Sequence, residues 1–119
     1  QLAVIVDDAA QGVTDVVRGA DLADSTPWQL GLQRALGLEP PRYLHLPLVT
    51  EPDGSKLAKS RRSVPVDAAL AGATVVRCLH LLRQSPPAGL ENEPVQDVLD
   101  WGRRHWRPEA FHGIRMVRA

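Results

Sequence analysis

The sequence predicts an α/β fold whose first half mixes strands and helices and whose second half is mainly helical. Two apolar, β-branched segments, Leu2–Val6 and Val13–Arg18, have the composition of strands, and the first predicts a strand buried on both faces. Beyond Pro65 the apolar residues follow helical spacing. With 119 residues, 44% hydrophobic and 4% aromatic, the chain has the size and composition of one soluble globular domain.

Capping residues predict the first helix. Thr26 is a favourable N-cap, Pro27 suits the first turn, and Gln29 stands where it completes a capping box. Leucines supply an apolar face, and Gly37 ends the helix before two prolines. Residues 43–49 then alternate in apolar character, and Pro47 restricts them to an edge strand or a short irregular strand.

Two further helices are predicted in the second half. Residues 74–83 place apolar side chains at helical spacing and precede the pair Pro86-Pro87. Asn92 and Pro94 begin the next helix, and the segment Trp106–Pro108 ends it.

The composition also restricts the compartment. The chain has no apolar run near 18 residues and no signal peptide, so we expect neither membrane insertion nor secretion. The single Cys78 cannot form an internal disulfide, which suits a cytoplasmic protein. Because Gln1 opens directly on a strand-like run, we expect the chain to be a fragment that lacks its amino-terminal part.

The net charge of zero conceals an asymmetry along the chain. Residues 1–55 carry eight acidic and three basic side chains (−5), and residues 56–119 carry six acidic and eleven basic side chains (+5). A polyanion would be attracted to the second half only. A mixed, solvated surface is the alternative interpretation.

Two lysines form a compact cationic loop. Lys56 and Lys59 follow the Asp53-Gly54 turn and precede two arginines. Such a loop suits a phosphate group, because phosphoryl chemistry needs positive charge where negative charge develops. The alternatives are a solvated turn and a generic basic cluster.

Arg18 is the second candidate, at the end of a predicted strand and before Gly19. Ligand contacts in α/β sheets lie at the carboxyl ends of strands, and a guanidinium suits a carboxylate. Pairing of Arg18 with Asp7, Asp8 or Asp21 is the structural alternative. Asp21 either accepts a hydrogen bond from a ribose hydroxyl or favours the start of the next helix.

The remaining candidates favour structural roles. Cys78 and His80 lack partner ligands for a zinc set, so we expect no metal site there, and instead a packed thiol and a surface or boundary histidine. Trp101 and Trp106 are interleaved with arginines. That pattern is typical of a helix with buried tryptophans and cations at its C-terminal end, and RNA stacking is the alternative.

Several of these segments, in this order, resemble the glutamyl-tRNA synthetase group of class I aminoacyl-tRNA synthetases. The segments Gly19-Ala20-Asp21-Leu22 and Asp24-Ser25-Thr26-Pro27 are closer to the shortened glutamyl-Q tRNA(Asp) synthetase branch of that group. The short ending with its two tryptophans agrees. The other matching segments are Val4–Ala9, Gly12–Thr14, Leu36–Leu38, His45–Leu48 and the lysine loop.

The resemblance implies a fold and a site. Residues 1–50 would be the C-terminal part of a Rossmann-type catalytic domain. Residues 51–119 would contain the KMSKS loop and a mainly helical stem-contact and C-terminal region. The implied roles are catalysis for Lys56 and Lys59, glutamate binding for Arg18, and ATP binding for Lys59, Asp21, His45, Leu46 and Leu48. Leu57 and Ala58 replace the usual Met and Ser, and Asp15 stands where His is common.

The implied reaction is activation of glutamate with ATP, followed by transfer to the queuosine base of tRNA(Asp). ATP with Mg²⁺ would be a substrate, and zinc is expected only in the missing amino-terminal part, along with the HIGH motif. The expected partners are glutamate, ATP and tRNA(Asp), with no membrane, for a cytoplasmic monomer. We expect this chain alone to be inactive, because half of the site would be missing.

Two other interpretations fit the sequence. The first is a stand-alone RNA-binding module built on the basic second half, and the second is a glutamyl-tRNA synthetase cut before its anticodon-binding domain. The favoured interpretation requires Arg18 and Lys59 to converge on one nucleotide pocket.

Overall fold

The computed structural model describes residues 1–51 and 67–118. The chain divides into two compact units, Gln1–Leu48 and Val49–Ala119, and each contains helices and strands. The predicted lysine loop, with Lys56 and Lys59, lies outside the described residues. In the described ranges, no helix has the length and hydropathy needed to cross a membrane.

The first unit places two parallel strands side by side. It contains helix α1 (Leu2–Ala10), strand β1 (Asp15–Gly19), a 3₁₀ segment (Ala20–Ser25), helix α2 (Thr26–Ala35) and strand β2 (Arg42–Leu46). β1 and β2 pair with Arg18 opposite His45 and Gly19 opposite Leu46. Because the strands are parallel, their carboxyl ends lie at the same edge of the sheet.

The strand predicted over Leu2–Val6 is wrong, because this segment forms the first half of α1. Ile5 is the buried residue of the helix, and Leu2, Val4 and Val6 are each more than 40% exposed. β-branched composition is a weak indicator of strand, since the tertiary context overrides it. The strand predicted over residues 13–18 is confirmed, with observed limits at Asp15 and Gly19.

Three helices end in the same backbone motif, in which a residue with positive φ follows the C-cap and two amides donate back into the last turn. That residue is Gly12 (φ 69°) after α1, Gly37 (φ 66°) after α2 and Arg83 (φ 55°) after α3 (Ala71–Leu81). A left-handed backbone costs a residue with a Cβ atom roughly 1 kcal/mol, so Arg83 is the unfavourable member. The six N–H···O distances are 2.9–3.2 Å, from Gly12 to Ala9, Val13 to Asp8, Gly37 to Arg34, Leu38 to Gln33, Arg83 to His80 and Gln84 to Leu79.

Helix α2 confirms the predicted proline in its first turn and the glycine after its end, but the predicted capping box is wrong. Its N-cap is Ser25, with no side-chain cap hydrogen bond. Gln29 is buried and donates a hydrogen bond to Gln1 Oε1 at 2.6 Å. Gln33, one turn later, is also buried and donates to the Tyr43 hydroxyl at 3.2 Å. Two glutamines, rather than the leucines, therefore form the buried positions of α2.

The second unit has its core between two helices. α3 packs against α4 (Val95–Arg104), and both predicted helices are confirmed with these limits. Strand β3 (Leu48–Thr50) pairs with β4 (Met116–Arg118), and 3₁₀ segments cover Ala68–Leu70, Leu90–Asn92 and Pro108–Phe111. The buried cluster consists of Val76, Leu79 and Val98, surrounded by Val75, Leu90 and Trp101.

A buried glutamine fixes the end of α3 to the segment after α4. The Gln84 amide donates to the Leu82 carbonyl at 2.7 Å and to the Arg107 carbonyl at 3.0 Å. Its own carbonyl accepts from the Arg107 amide at 2.8 Å. Since both ends of this side chain are hydrogen-bonded, its burial carries little penalty.

Asp15, which stands where histidine is common in the resembling family, forms an ion pair across the two strands. Asp15 and Arg42 are opposite each other in β1 and β2 and form a two-point ion pair at 2.7 and 2.9 Å. The hydrogen bond from Arg42 lowers the pKa of the Asp15 carboxyl below its ordinary value. Because both side chains are exposed, the pair favours this strand register more than it adds stability.

Candidate functional site

Arg18 lies at the centre of a polar cluster at the end of the two strands. Its Nη2 donates to the Thr26 hydroxyl at 2.7 Å and to the Leu22 carbonyl at 3.2 Å. Its Nε donates to His45 Nε2 at 3.4 Å. The parallel register places Arg18 directly opposite His45, so both side chains lie on the same face of the sheet.

Thr26 and His45 also contact each other. The Thr26 Oγ1–His45 Nε2 distance is 3.1 Å. The three contacts are compatible with a His45 tautomer that has no proton on Nε2: Thr26 accepts from Arg18 Nη2 and donates to Nε2, and the longer contact from Arg18 Nε reaches the same nitrogen. Thr26, predicted as a helix cap, therefore positions the arginine instead. His45, predicted to bind ATP, contributes its ring to this cluster.

The aromatic ring of Tyr43 packs against the guanidinium group of Arg18. The Arg18 Cζ atom lies 4.9 Å from the centre of the Tyr43 ring, within the range of a cation–π interaction. The Tyr43 and His45 rings are nearly parallel, with centres 6.3 Å apart, as expected for alternate residues of one strand. The buried Gln33 amide in turn donates to the Tyr43 hydroxyl. Three elements, the 3₁₀ segment, α2 and β2, thus restrict the orientation of one side chain on β1.

The outer edge of the guanidinium is open. Among the described residues, no group accepts a hydrogen bond from Arg18 Nη1. None of the described carboxylates forms an ion pair with Arg18, so the structural alternative, pairing with Asp7, Asp8 or Asp21, is not observed. The two N–H groups of Nη1 are therefore the donors that remain on this half-buried arginine, and a charged donor of this kind is suited to a carboxylate or another anion.

Gly19 permits a close approach of the Asp21 side chain. A Cβ atom at this position would lie 2.5 Å from Asp21 Oδ1 and 3.2 Å from Leu48 Cδ2. The missing side chain therefore leaves room for the Asp21 carboxylate beside the end of β1. The structure brings Asp21 and Leu48 close to this strand end, next to Leu46, the strand partner of Gly19.

The convergence of Arg18 and Lys59 stays a prediction, because Lys56 and Lys59 lie outside the described residues. Within the described ranges, no group of three His, Cys, Asp or Glu side chains is arranged to bind a metal ion. Cys78 is exposed, so the packed thiol expected from the sequence is wrong. The inward positions of α3 belong to Val76 and Leu79, and His80 is exposed as expected.

The two tryptophans have structural partners. Trp101 packs against the α3–α4 core and stacks on His105, with ring centres 4.6 Å apart. Trp106 contacts Phe111, with ring centres 5.6 Å apart. Arg103 and Arg104 lie in the last turn of α4, where positive charges interact favourably with the helix dipole. Trp101 is half-buried, whereas Trp106 lies after the end of α4 and is 39% exposed, so the predicted burial of both tryptophans is wrong. Their ring contacts still favour a structural role over RNA stacking.

Residues 1–84 match the protein family described as tRNA synthetases class I (E and Q), catalytic domain. The chain is also similar to several proteins named glutamyl-Q tRNA(Asp) synthetase. It is 58% identical to those of Ectopseudomonas mendocina and Pseudomonas aeruginosa over 89% of its length and 36% of theirs. It is 53% identical to that of Pseudomonas syringae pv. syringae over 98% of its length and 40% of the relative. The chain therefore spans at most about two fifths of these relatives.

We expect the substitution Thr26→Val to loosen the Arg18 side chain. Valine preserves the shape of threonine and removes the hydroxyl that accepts at 2.7 Å, leaving Nη2 with the Leu22 carbonyl alone. A crystal structure of the variant should show Arg18 in several rotamers, whereas Thr26→Ser should preserve the single one. An unchanged, well-ordered Arg18 in Thr26→Val would show that Leu22, Tyr43 and His45 suffice to position it.

Proposed function

Because the chain belongs to the family of class I (E and Q) tRNA synthetase catalytic domains, we propose that it is part of an ATP-dependent ligase that attaches glutamate to tRNA(Asp). The ligase activates glutamate as the adenylate and transfers it to the queuosine base. We infer the acceptor tRNA and its modified base from the names of the similar proteins. ATP with Mg²⁺ enters as a substrate.

The observation that carries the proposal is the half-occupied guanidinium of Arg18. Its inner edge is engaged by Thr26, Leu22 and His45, and no described residue takes its outer edge. We assign that edge to a carboxylate of the glutamate substrate. The charge is available without reorganisation, which is the condition for a preorganised binding site.

The ATP would lie beside this carboxylate, at the carboxyl ends of β1 and β2. Open α/β sheets bind nucleotides at that edge, and we propose that the two parallel strands are part of a Rossmann-type domain. We assign contacts with ATP to Asp21, His45, Leu46 and Leu48. The contact of His45 with Arg18 would then link the two substrate positions.

We assign Lys56–Ser60 to the KMSKS loop. In adenylate formation, a glutamate carboxylate oxygen attacks the α-phosphorus of ATP and the bond to pyrophosphate breaks. The charge that grows on pyrophosphate needs cations, the role proposed for Lys59 with support from Lys56. The queuosine base then takes the glutamyl group, and AMP leaves. Residues 51–119 would contain this loop and the stem-contact and C-terminal region.

We expect the full-length gene product to glutamylate queuosine-containing tRNA(Asp). Incorporation of radiolabelled glutamate should be absent with tRNA(Asp) that lacks queuosine and with tRNA(Glu). Charging of tRNA(Glu) would instead identify a glutamyl-tRNA synthetase. Incorporation into neither RNA, despite glutamate-dependent exchange between ATP and pyrophosphate, would reject the proposed acceptor and leave the activation step intact.

The substitution Arg18→Ala should raise the KM for glutamate at least about thirtyfold, because charge-assisted hydrogen bonds of ~2 kcal/mol or more are removed. ATP–pyrophosphate exchange at increasing glutamate concentration measures the effect. Arg34→Ala, which removes an exposed arginine in the last turn of α2, is the matched control. If glutamate dependence is the same in both variants, Arg18 does not bind the substrate.

The substitution Lys59→Ala should have the opposite kinetic signature. The rate of exchange should fall by roughly two orders of magnitude or more, with a small change in the KM for glutamate, since the missing charge acts in the transition state. Lys56→Ala should lower the rate less. Equal exchange rates in Lys59→Ala and the parent would remove Lys59 from catalysis.

A further inference from the structure

The second unit has an open groove between α3 and β4, with a volume of about 640 Å³. Its cations are Arg77, on α3, Arg83, in the turn after α3, and Arg118, on β4, and His80 lies among them. Leu81 and Met116 supply apolar surface between these charges. None of the lining residues is acidic.

The three arginines are exposed and unpaired within the described part of the chain. The ion pairs observed there join Arg42 with Asp15 and Arg103 with Asp100, and no described side chain accepts a hydrogen bond from Arg77, Arg83 or Arg118. Three unpaired arginines around one groove form a local field of a single sign.

The acidic residues of this unit lie elsewhere. α3 contains no acidic residue from Ala71 to Leu81, and neither does β4. The acids near the α3–α4 pair are Glu91 and Glu93 before α4 and Asp97 and Asp100 within it. The groove therefore attracts an anion by its own residues, although the described part of the unit has as many acidic as basic side chains.

Arg83 occupies a backbone position that disfavours it. The equivalent positions after α1 and α2 are Gly12 and Gly37, and all three have positive φ. Glycine would relieve the steric conflict of the Arg83 Cβ atom, but would remove one of the three charges from the groove. A strained residue that carries a side chain into a groove is an indication of function.

We propose that this groove binds the phosphodiester backbone of an RNA strand. Guanidinium groups bind phosphate oxygens through paired hydrogen bonds, and arginines from three different positions suit successive phosphates better than one free ion. Leu81 and Met116 offer apolar surface to ribose and base faces. The choice of RNA among polyanions rests on the proposed function, because the family acts on tRNA.

The test measures binding of a fluorescently labelled tRNA(Asp) transcript to the full-length protein at several salt concentrations. Arg77→Gln and Arg118→Gln should each weaken binding about fivefold to tenfold. The slope of log K against log salt should fall by roughly 0.7 for each phosphate that the variant no longer neutralises. Arg103→Gln is the matched control, because Arg103 is an exposed arginine outside the groove and pairs with Asp100.

Arg83→Gly separates binding from stability. This variant should bind the transcript as weakly as the other two and yet melt at a temperature a few degrees higher, since glycine accepts the positive φ. A variant that is merely misfolded would lose RNA affinity and would also melt at a lower temperature. RNA affinities and salt slopes that are equal in the groove variants and in Arg103→Gln would overturn the proposal.

Further outcomes distinguish an RNA groove from a lipid site, and the groove from the proposed ligase function. If the arginine substitutions abolish binding to vesicles containing anionic phospholipid and leave tRNA binding unchanged, the groove is a lipid site and the proposal is wrong. If the groove variants lose tRNA binding in a protein that glutamylates no tRNA, the RNA groove stands and the proposed function fails. Normal tRNA binding by the groove variants of an active ligase would instead reject the RNA groove and leave the proposed function intact.

Discussion

The parallel pairing of β1 with β2 determines everything proposed for the first unit. This register sets Arg18 opposite His45 and Gly19 opposite Leu46, and the ion pair of Asp15 with Arg42 favours it at the other end. A shift of one residue would move Arg18 to the opposite face of the sheet. The crossover through α2 then brings Thr26 to the same strand ends. Binding chemistry here therefore depends on backbone pairing between segments far apart in the sequence.

The sequence predicted the elements that carry local signals. α2 has a proline in its first turn and a glycine after its last, and α3 and α4 have apolar residues at helical spacing, so their existence followed from short-range physics. α1 was mistaken for a strand because its first half is rich in valine and isoleucine. Gly12 is the local signal for this helix, because a glycine with positive φ follows its last turn, as Gly37 does after α2. The inward position of Gln33 had no local signal, since its partner Tyr43 lies on another element.

The candidate site was predictable only in part. Arg18 could be selected because it ends a strand and precedes a glycine, and this position follows from the sequence alone. The role of Thr26 could not, because the same Ser-Thr-Pro pattern that suits a helix cap also places a hydroxyl 2.7 Å from a guanidinium. Which partner the hydroxyl group serves depends on the distance between β1 and α2. That distance is a tertiary quantity, and no spacing rule contains it.

Helix ends connect stability with charge in this chain. The same backbone motif ends α1, α2 and α3, and the first two use glycine where the third uses Arg83. Gln84, the next residue, has its side-chain amide engaged with Leu82 and Arg107 through both its nitrogen and its oxygen, so the turn keeps its shape although Arg83 disfavours it. The unfavourable backbone is thus supported by its neighbour, and no acidic residue in the described part of the chain forms an ion pair with the Arg83 side chain. An external phosphate can therefore bind the charge of Arg83 without displacing an acidic partner from it.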